Sequence, residues 1–381
     1  MQRELTGMEK KRSGEQPVRV AAVIGKMVGG GVESVAFNYC RAIPEEAGVR
    51  FDFYYDDDST AEPPPELLRR GARFFRIPRY QRLPAFLKTL YRRFREERYP
   101  IVHSHLNTLS VFPLLAARLA GVPVRICHNH STAHPGEGKK TLLKKLLRRP
   151  AQWFATDFFA CGDRAARWMY GDKAVDAGRV TVLKNAVDSR RFRFDPDARQ
   201  ALRAALDIGE ETFVLGHVGR FTYAKNHRRL LEIFAALRRL RPDSLLLLVG
   251  EGELLPDVRG RAEELGLAGA VRFLGLRQDV NRLYSAMDAF CLPSFYEGLP
   301  VVGVELQWNG LPCCLSDMVT KEVLVNPNVR ALPLAAPPED WAGALLSLSR
   351  CAPGPGMAEF DISAQAKRLS DYYLRRAAET V

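Results

Sequence analysis

Short apolar runs alternate with helical patterns along most of this 381-residue chain, and this alternation constrains the fold more than any other feature. Val18–Ile24 and Ser244–Val249 are two such runs, and glycines and a segment with helical spacing follow each of them. Strands that alternate with helices form parallel sheets with right-handed crossovers. The length favours two domains. The sequence therefore predicts an α/β protein with more than one parallel-sheet unit.

The segment Ser294–Asp317 links a buried strand to a helix through a glycine-containing turn. The apolar run Ala289–Leu292 precedes it, and Leu299–Pro300 opens the helix because proline suits the first helical turn. Gly310 and Pro312 close the helix. Such a helix start directs unpaired N–H groups and a positive dipole end towards a ligand above the strand.

Two carboxylates flank this helix start. Glu297 lies in the turn, and Glu305 follows eight residues later, about two helical turns on and so near the same face. The helix start attracts an anion, and the acids accept hydrogen bonds from hydroxyl groups. The combination indicates a nucleotide-sugar site.

Two histidine pairs end two predicted strands in the first half of the chain. His103 and His105 follow one strand, and His128 and His130 end another. Open α/β sheets bind ligands at this edge. The four histidines are candidates for a metal site, but no carboxylate or cysteine accompanies them. The interpretation from the sequence is that they hold no metal.

Glu297 and Glu305 form an E-x7-E motif, and Arg220 and Lys225 form an R-x4-K motif. Together they resemble the motifs of retaining glycosyltransferases of the GT-B fold, of the family four type, and in particular of bacterial exopolysaccharide and capsule enzymes. The similarity runs from about Val18 to Tyr373. It implies two Rossmann-like, doubly wound parallel-sheet domains that face a cleft, with the donor site in the second domain.

The resemblance also implies roles for individual residues. Arg220 and Lys225 would stabilise the leaving diphosphate in place of a metal, and Glu297 would hold hydroxyls of the donor sugar. His130, with His128 as the fallback, would face that sugar, and Glu305 would bind the ribose. The predicted nucleotide-sugar contacts are Gly30, Gly31, Arg220, Lys225, Gly250, Leu276, Arg277, Gly298, Leu299 and Glu305.

The reaction implied by the resemblance is transfer from a UDP-sugar to a lipid-linked or oligosaccharide acceptor, with retention of configuration and no metal cofactor. In such a reaction the acceptor hydroxyl attacks from the front face and loses its proton towards the donor phosphate. A nucleotide-sugar epimerase of similar fold is an alternative. The D-x-D pairs Asp56–Asp58 and Asp195–Asp197 are alternative metal ligands.

Four segments are expected along the chain. Residues 1–17 form a disordered N-terminus, residues 18–190 the acceptor-side domain, and residues 191–358 the nucleotide-sugar domain. Residues 359–381 form a final helix that packs back onto the first domain.

The formal net charge of +12 implies an anionic partner. A nucleic-acid-binding protein is a further alternative, but the sequence contains no recognised nucleic-acid module. Lys139–Arg149 is a basic amphipathic helix whose leucine stripe either contacts an anionic membrane or packs on the core. No signal peptide or membrane span is visible, and the seven cysteines lack metal-site spacing, so a cytoplasmic protein, peripheral at the membrane, is expected.

Overall fold

A computed structural model of the protein describes residues 16–132 and 139–380, and for residues 139 and 140 the backbone alone. Positions 1–15 of the segment predicted to be disordered lie outside the described residues. The described strands are β1 (Val18–Gly25), β2 (Val49–Asp56), β3 (Arg73–Ile77), β4 (Ile101–Ser104), β5 (Val124–Asn129), β6 (Asp157–Ala160), β7 (Val180–Val182), β8 (Phe213–Val218), β9 (Ser244–Val249), β10 (Val271–Phe273), β11 (Ala289–Leu292), β12 (Cys313–Ser316) and β13 (Val329–Leu332).

The α-helices connect these strands on both faces of the sheets. They are α1 (Gly31–Ala42), α2 (Pro65–Arg69), α3 (Leu83–Glu97), α4 (Val111–Leu119), α5 (Lys139–Phe154), α6 (Asp163–Tyr170), α7 (Asp172–Asp176), α8 (Pro196–Ala205), α9 (His227–Leu240), α10 (Leu255–Glu264), α11 (Val280–Ala286), α12 (Val301–Trp308), α13 (Pro338–Ser347) and α14 (Ile362–Ala378).

The strands form two parallel sheets, which confirms the predicted fold class. The first has the order β3-β2-β1-β4-β5-β6-β7, and the second has the order β10-β9-β8-β11-β12-β13. In each sheet the chain first adds strands on one side of the strand that comes first in the sequence and then adds strands on the other side. The strand order therefore reverses between β1 and β4 in the first sheet and between β8 and β11 in the second. Ligands bind open α/β sheets at such switch points, beyond the carboxyl ends of the strands. The topology therefore brings the glycine loop after β1, the histidine pairs and the turn after β11 to functional edges.

The helix that begins near the β11 turn is shorter than the sequence predicted. Pro300 is its N-cap, and α12 ends where Gly310 adopts a left-handed conformation with φ of 66°. Glu297 therefore lies ahead of the helix, while Glu305 is in its second turn. The expectation that both acids lie near one helical face is wrong, because Glu297 has no helical geometry.

The C-terminal segment returns to the first sheet. Asp361 forms a parallel bridge with Val187, and the N–H of Val187 donates to Phe360 O over 3.0 Å. Beyond this crossing, α14 packs against α1, β1 and β2. The Tyr373 hydroxyl, on α14, lies 2.6 Å from Nδ1 of His103. The last helix is thus part of the first domain's core.

Apolar packing holds the two domains together. One core extends from the first sheet across the interface and includes Val23 and Cys161 of the first domain with Leu299 and Val304 of the second. A second core fills the space between β8–β12, α9 and α13. Burial of apolar area stabilises such layers by about 25 cal/mol per Å². Within the described residues, no helix has both the length and the apolar character to span a bilayer.

Candidate active site

The glycine loop after β1 faces the second domain at close range. A Cβ at Gly29 would lie 3.3 Å from Cδ2 of Leu276, and one at Gly30 would lie 3.8 Å from Nε of Arg220. A Cβ at Gly31 would lie 3.8 Å from a methyl group of Val301, the first residue of α12. The structure thus places the predicted loop residue Gly30 opposite the predicted phosphate ligand Arg220, and Gly31 opposite the start of α12.

Glu33 holds this loop in shape and was missed by the sequence interpretation. Its carboxylate oxygen Oε1 accepts hydrogen bonds from the N–H groups of Val28, over 2.6 Å, and Gly30, over 2.8 Å. The side chain is buried, so the contacts are protected from water. An acid at the third position of a helix commonly accepts from the N-cap N–H, and that spacing was the available signal.

Glu297 and Lys225 meet at the turn after β11. Nζ of Lys225 lies 2.6 Å from Oε1 of Glu297, and the Ser294 hydroxyl donates to the same oxygen over 3.0 Å. Both charged side chains are largely shielded, with 18% and 16% of their surface exposed. Such partial burial strengthens a charge-assisted hydrogen bond. The sequence assigned the two residues separate ligand contacts, whereas the structure shows them also binding each other.

Gly298 brings this turn against the first domain. A Cβ at position 298 would lie 2.1 Å from the carbonyl oxygen of His130, so no larger residue fits. Next to it, Nδ2 of Asn185 donates to the carbonyl oxygen of Leu299 over 2.5 Å. The predicted residues His130, Glu297, Gly298 and Leu299 therefore lie together at the contact between the domains.

The four histidines form a stack beneath this contact. His103 and His105 stack with ring centroids 4.2 Å apart, and His128 and His130 with centroids 4.0 Å apart. Hydrogen bonds of 3.0 Å join His103 to His128 and His105 to His130. The pairwise orientation expected from strand alternation is thus present.

Burial lowers the pKa of every imidazole in the stack, to about 3 for His103 and His130. The rings therefore stay neutral at physiological pH, each with one donor and one acceptor nitrogen. His103, His105 and His128 place ring nitrogens within 4.8 Å of one another. Neutral imidazoles can bind a divalent metal, and the interpretation that these histidines hold no metal stays a prediction.

Glu305 lies deeper in the second domain. The hydroxyl of Tyr284 donates to its Oε2 over 2.7 Å. Burial raises the pKa of Glu305 to about 7, although Tyr284 and the positive charge of Arg191 oppose the shift. The carboxyl group is thus poised between its charged and neutral forms near neutral pH.

Glu305→Gln is expected to stabilise the protein above neutral pH. Between pH 4.5 and about 7 the unfolded state loses this proton while the folded state keeps it, so the contribution of Glu305 to stability falls as the pH rises through that window. Near pH 8 the substitution should raise the unfolding free energy by on the order of 1–2 kcal/mol, and near pH 4 the gain should vanish. Chemical denaturation at both pH values measures this difference, and an equal change at both would contradict it.

The remaining predicted nucleotide contacts are Arg220, Gly250, Leu276 and Arg277. Arg220 is exposed, and its side chain has no hydrogen-bonding or ion-pair partner among the described residues. A Cβ at Gly250 would lie 2.2 Å from Gly219 O, so Gly250 lets the Arg220 loop pack closely. The side chain of Leu276 faces Gly29 of the glycine loop and is 43% exposed to solvent. Arg277 forms two hydrogen bonds with Asp279. Their contacts with a nucleotide stay predictions.

One acid of each D-x-D pair has a protein partner. Asp58 binds Lys26 over 3.0 Å and Arg79 over 3.4 Å. Asp195 caps α8 by accepting from the N–H of Ala198. Asp57, which lies between the two acids of the first pair, forms an ion pair with Arg82.

A salt bridge fastens the domains at the rim of the site. Nζ of Lys184 lies 2.9 Å from Oε2 of Glu322, and Glu322 also accepts from the N–H groups of Asp163 and Arg164 at the start of α6. A carboxylate at a helix N-terminus is favourable for the helix dipole. No short sequence motif marked this pairing, because its partners are far apart in the chain.

Two family models match the chain, one for each sheet. The model of Glycosyltransferase Family 4 matches residues 29–191, and the model of Glycosyl transferases group 1 matches residues 198–359. A putative glycosyltransferase, EpsF of Bacillus subtilis, is 36% identical over 330 residues, which cover 85% of this chain and 86% of the relative. The chain belongs to the glycosyltransferases of the family 4 type.

Further relatives place this glycosyltransferase in context. The UDP-Gal:alpha-D-GlcNAc-diphosphoundecaprenol alpha-1,3-galactosyltransferase of Escherichia coli is 31% identical over 63% of each chain. The crystal structure of Anabaena Alr3699/HepE in complex with UDP and glucose has a TM-score of 0.76, with 18% identity, over 94% of this chain and all of that one. At that identity the structural similarity shows the fold alone, and it confirms the GT-B architecture.

Proposed function

We propose that this glycosyltransferase moves a sugar from a UDP donor to a lipid-linked glycan during the assembly of a surface polysaccharide. The observations that carry the proposal are the Lys225–Glu297 pair at the turn after β11 and the close approach of Arg220 to the glycine loop of the other domain. Two relatives support the choice of substrates, because one is named for a UDP-sugar and a diphosphoundecaprenol-linked acceptor and another was crystallised with UDP and glucose.

The proposed mechanism assigns charge stabilisation to the protein's own cations. Transfer leaves negative charge on the departing diphosphate, and Arg220 and Lys225 would stabilise that charge as it develops. Lys225 already lies against Glu297, so it would connect the diphosphate with the carboxylate that holds the sugar hydroxyls. The acceptor hydroxyl would attack from the face that the diphosphate leaves, with retention, and pass its proton to a phosphate oxygen.

The proposed reaction needs no divalent metal, because two fixed cations supply the positive charge. Transfer activity is therefore expected to survive EDTA. The measurement is sugar transfer by the parent protein in buffer with EDTA, with magnesium and with manganese. Loss of activity in EDTA with recovery in either metal would contradict the proposal.

A thermal-shift screen of UDP-, GDP- and ADP-sugars tests the choice of donor. A nucleotide-sugar at 100 times its dissociation constant stabilises the folded state by about 2.7 kcal/mol. We expect that shift with a UDP-sugar alone, followed by release of UDP only when an acceptor is added. Conversion of the UDP-sugar without an acceptor would instead indicate the epimerase. The proposed place of action is the cytoplasmic face of the membrane, where the protein is peripheral.

A further inference from the structure

Helix α5 leaves an apolar ridge uncovered on the first domain. Its large side chains Leu142, Leu143, Leu146 and Trp153 are 61%, 49%, 64% and 69% exposed. At 100° per residue, Leu142, Leu146 and Trp153 fall within a sector of about 40°, and at 1.5 Å per residue they extend over about 17 Å. Leu142, Leu146 and Trp153 are called the α5 ridge. The sequence left open whether the leucine stripe is consumed by the core, and the structure shows three of its four leucines exposed.

The opposite face of α5 anchors the helix to the domain. Ala151 is fully buried, Leu147 packs against the core, and a guanidinium N–H of Arg148 donates to Trp168 O over 2.6 Å. Gln152 donates to the carbonyl oxygen of Met169 over 2.8 Å. Because this face holds the helix in place, the ridge is not needed for folding of the domain.

Positive charge flanks the ridge. Lys145 and Arg149 are exposed, and the helix contains six basic residues and no acidic one. The side chains of Lys139 and Lys140, which the sequence interpretation counted in the basic surface, lie outside the described residues. A leucine and tryptophan ridge beside cations matches the boundary of an anionic bilayer, which offers acyl chains and negative headgroups together. A nucleic acid would satisfy the charges but leave the apolar ridge in water.

Helix α5 also lies beside the turn after β11 that contains Glu297. Nζ of Lys144 lies 5.7 Å from the ring centroid of Tyr296, the residue before Glu297. The face of α5 that looks away from the ridge therefore borders the donor site. A helix resting in the headgroup layer would hold the cleft beside the membrane surface.

We propose that the α5 ridge lies in the headgroup layer of an anionic bilayer and presents the cleft to the membrane-embedded acceptor. This inference rests on the proposed function for the identity of that acceptor. The lipid contact itself rests on the exposed ridge, the flanking cations and the position of Lys144.

Vesicle sedimentation tests the lipid contact directly. The parent protein should bind phosphatidylglycerol-containing vesicles at low salt and bind phosphatidylcholine vesicles at least about tenfold less tightly. The ridge variant Leu142→Gln/Leu146→Gln/Trp153→Gln and the charge variant Lys145→Gln/Arg149→Gln should each weaken binding about tenfold or more. Leu240→Gln, on α9 of the second domain, removes a leucine of similar exposure, 59%, and should bind like the parent.

An activity comparison separates this inference from the proposed function. Transfer to a lipid-linked acceptor in vesicles should fall at least about tenfold in the ridge variant, while transfer to a short-chain, water-soluble form of the acceptor should not change. A parent that ignores anionic vesicles, or a ridge variant that binds them equally well, overturns the lipid contact. If the protein dimerises in solution through the ridge and does not bind vesicles, the lipid contact is overturned. A second copy of the chain would then cover the ridge. If the protein binds vesicles through the ridge but the parent transfers sugar to neither acceptor, the proposed function is overturned and the lipid contact stands.

Discussion

Glu297→Gln is expected to reduce transfer activity by about 100-fold or more, the range found when one preorganised polar contact to the reacting group is lost. The substitution keeps the volume and the hydrogen bond from Ser294, but it removes the negative charge opposite Lys225. The measurement is kcat/KM for transfer, together with the melting temperature, which should stay within a few degrees of the parent.

Glu339→Gln is the matched control for this change. Glu339 forms a surface ion pair with Arg239, and its side chain is 57% exposed. An exposed pair contributes little, about 0–1 kcal/mol, so both activity and stability should be retained. If Glu297→Gln turns over like the parent, Glu297 does not act on the sugar.

Arg220→Ala combined with Lys225→Ala is expected to weaken UDP binding more than either change alone. Each charge-assisted contact contributes about 1.5–3 kcal/mol, which corresponds to roughly 10–150-fold in affinity. The side chain of Arg220 is exposed and has no partner to lose within the described part of the chain, so its truncation should leave stability unchanged. Removal of Lys225 also leaves Glu297 uncompensated, and a small loss of stability is expected there.

Calorimetric titration with UDP and with uridine separates phosphate recognition from recognition of the base and ribose. The double variant should lose affinity for UDP and retain the affinity of the parent for uridine. Arg239→Ala, which removes an exposed arginine, serves as the charge control. Unchanged UDP binding in the double variant would place the diphosphate elsewhere.

Local signals in the sequence predicted the elements that depend on neighbouring residues. The apolar runs, the glycines after them and Pro300 fix strand ends and helix starts through backbone geometry, and those elements are present. The orientation of the histidine pairs followed from strand alternation. The fold class followed from the order of strands and helices.

Contacts between distant residues were not predictable from such patterns. The hydrogen bond from Gly30 to Glu33 had a recognisable spacing in the sequence. The Lys184–Glu322 salt bridge and the Asn185–Leu299 hydrogen bond instead join residues of the two domains that are more than 100 positions apart in the sequence. Their formation depends on how the sheets are placed, which no local propensity encodes. The exposure of the α5 ridge was also not predictable, because a leucine stripe indicates an apolar helix face but not which part of the protein packs against it.

We propose that Arg220, which faces the glycine loop, and the Lys225–Glu297 pair form a site of sugar transfer from a UDP donor. The most direct measurement is UDP release from a UDP-sugar in the presence of EDTA, with and without a lipid-linked acceptor, for the parent and Glu297→Gln. We expect acceptor-dependent release by the parent, a glycan product with the anomeric configuration of the donor, and at least about 100-fold slower release by the variant. Release that ignores the acceptor, or equal rates for the two proteins, would contradict it.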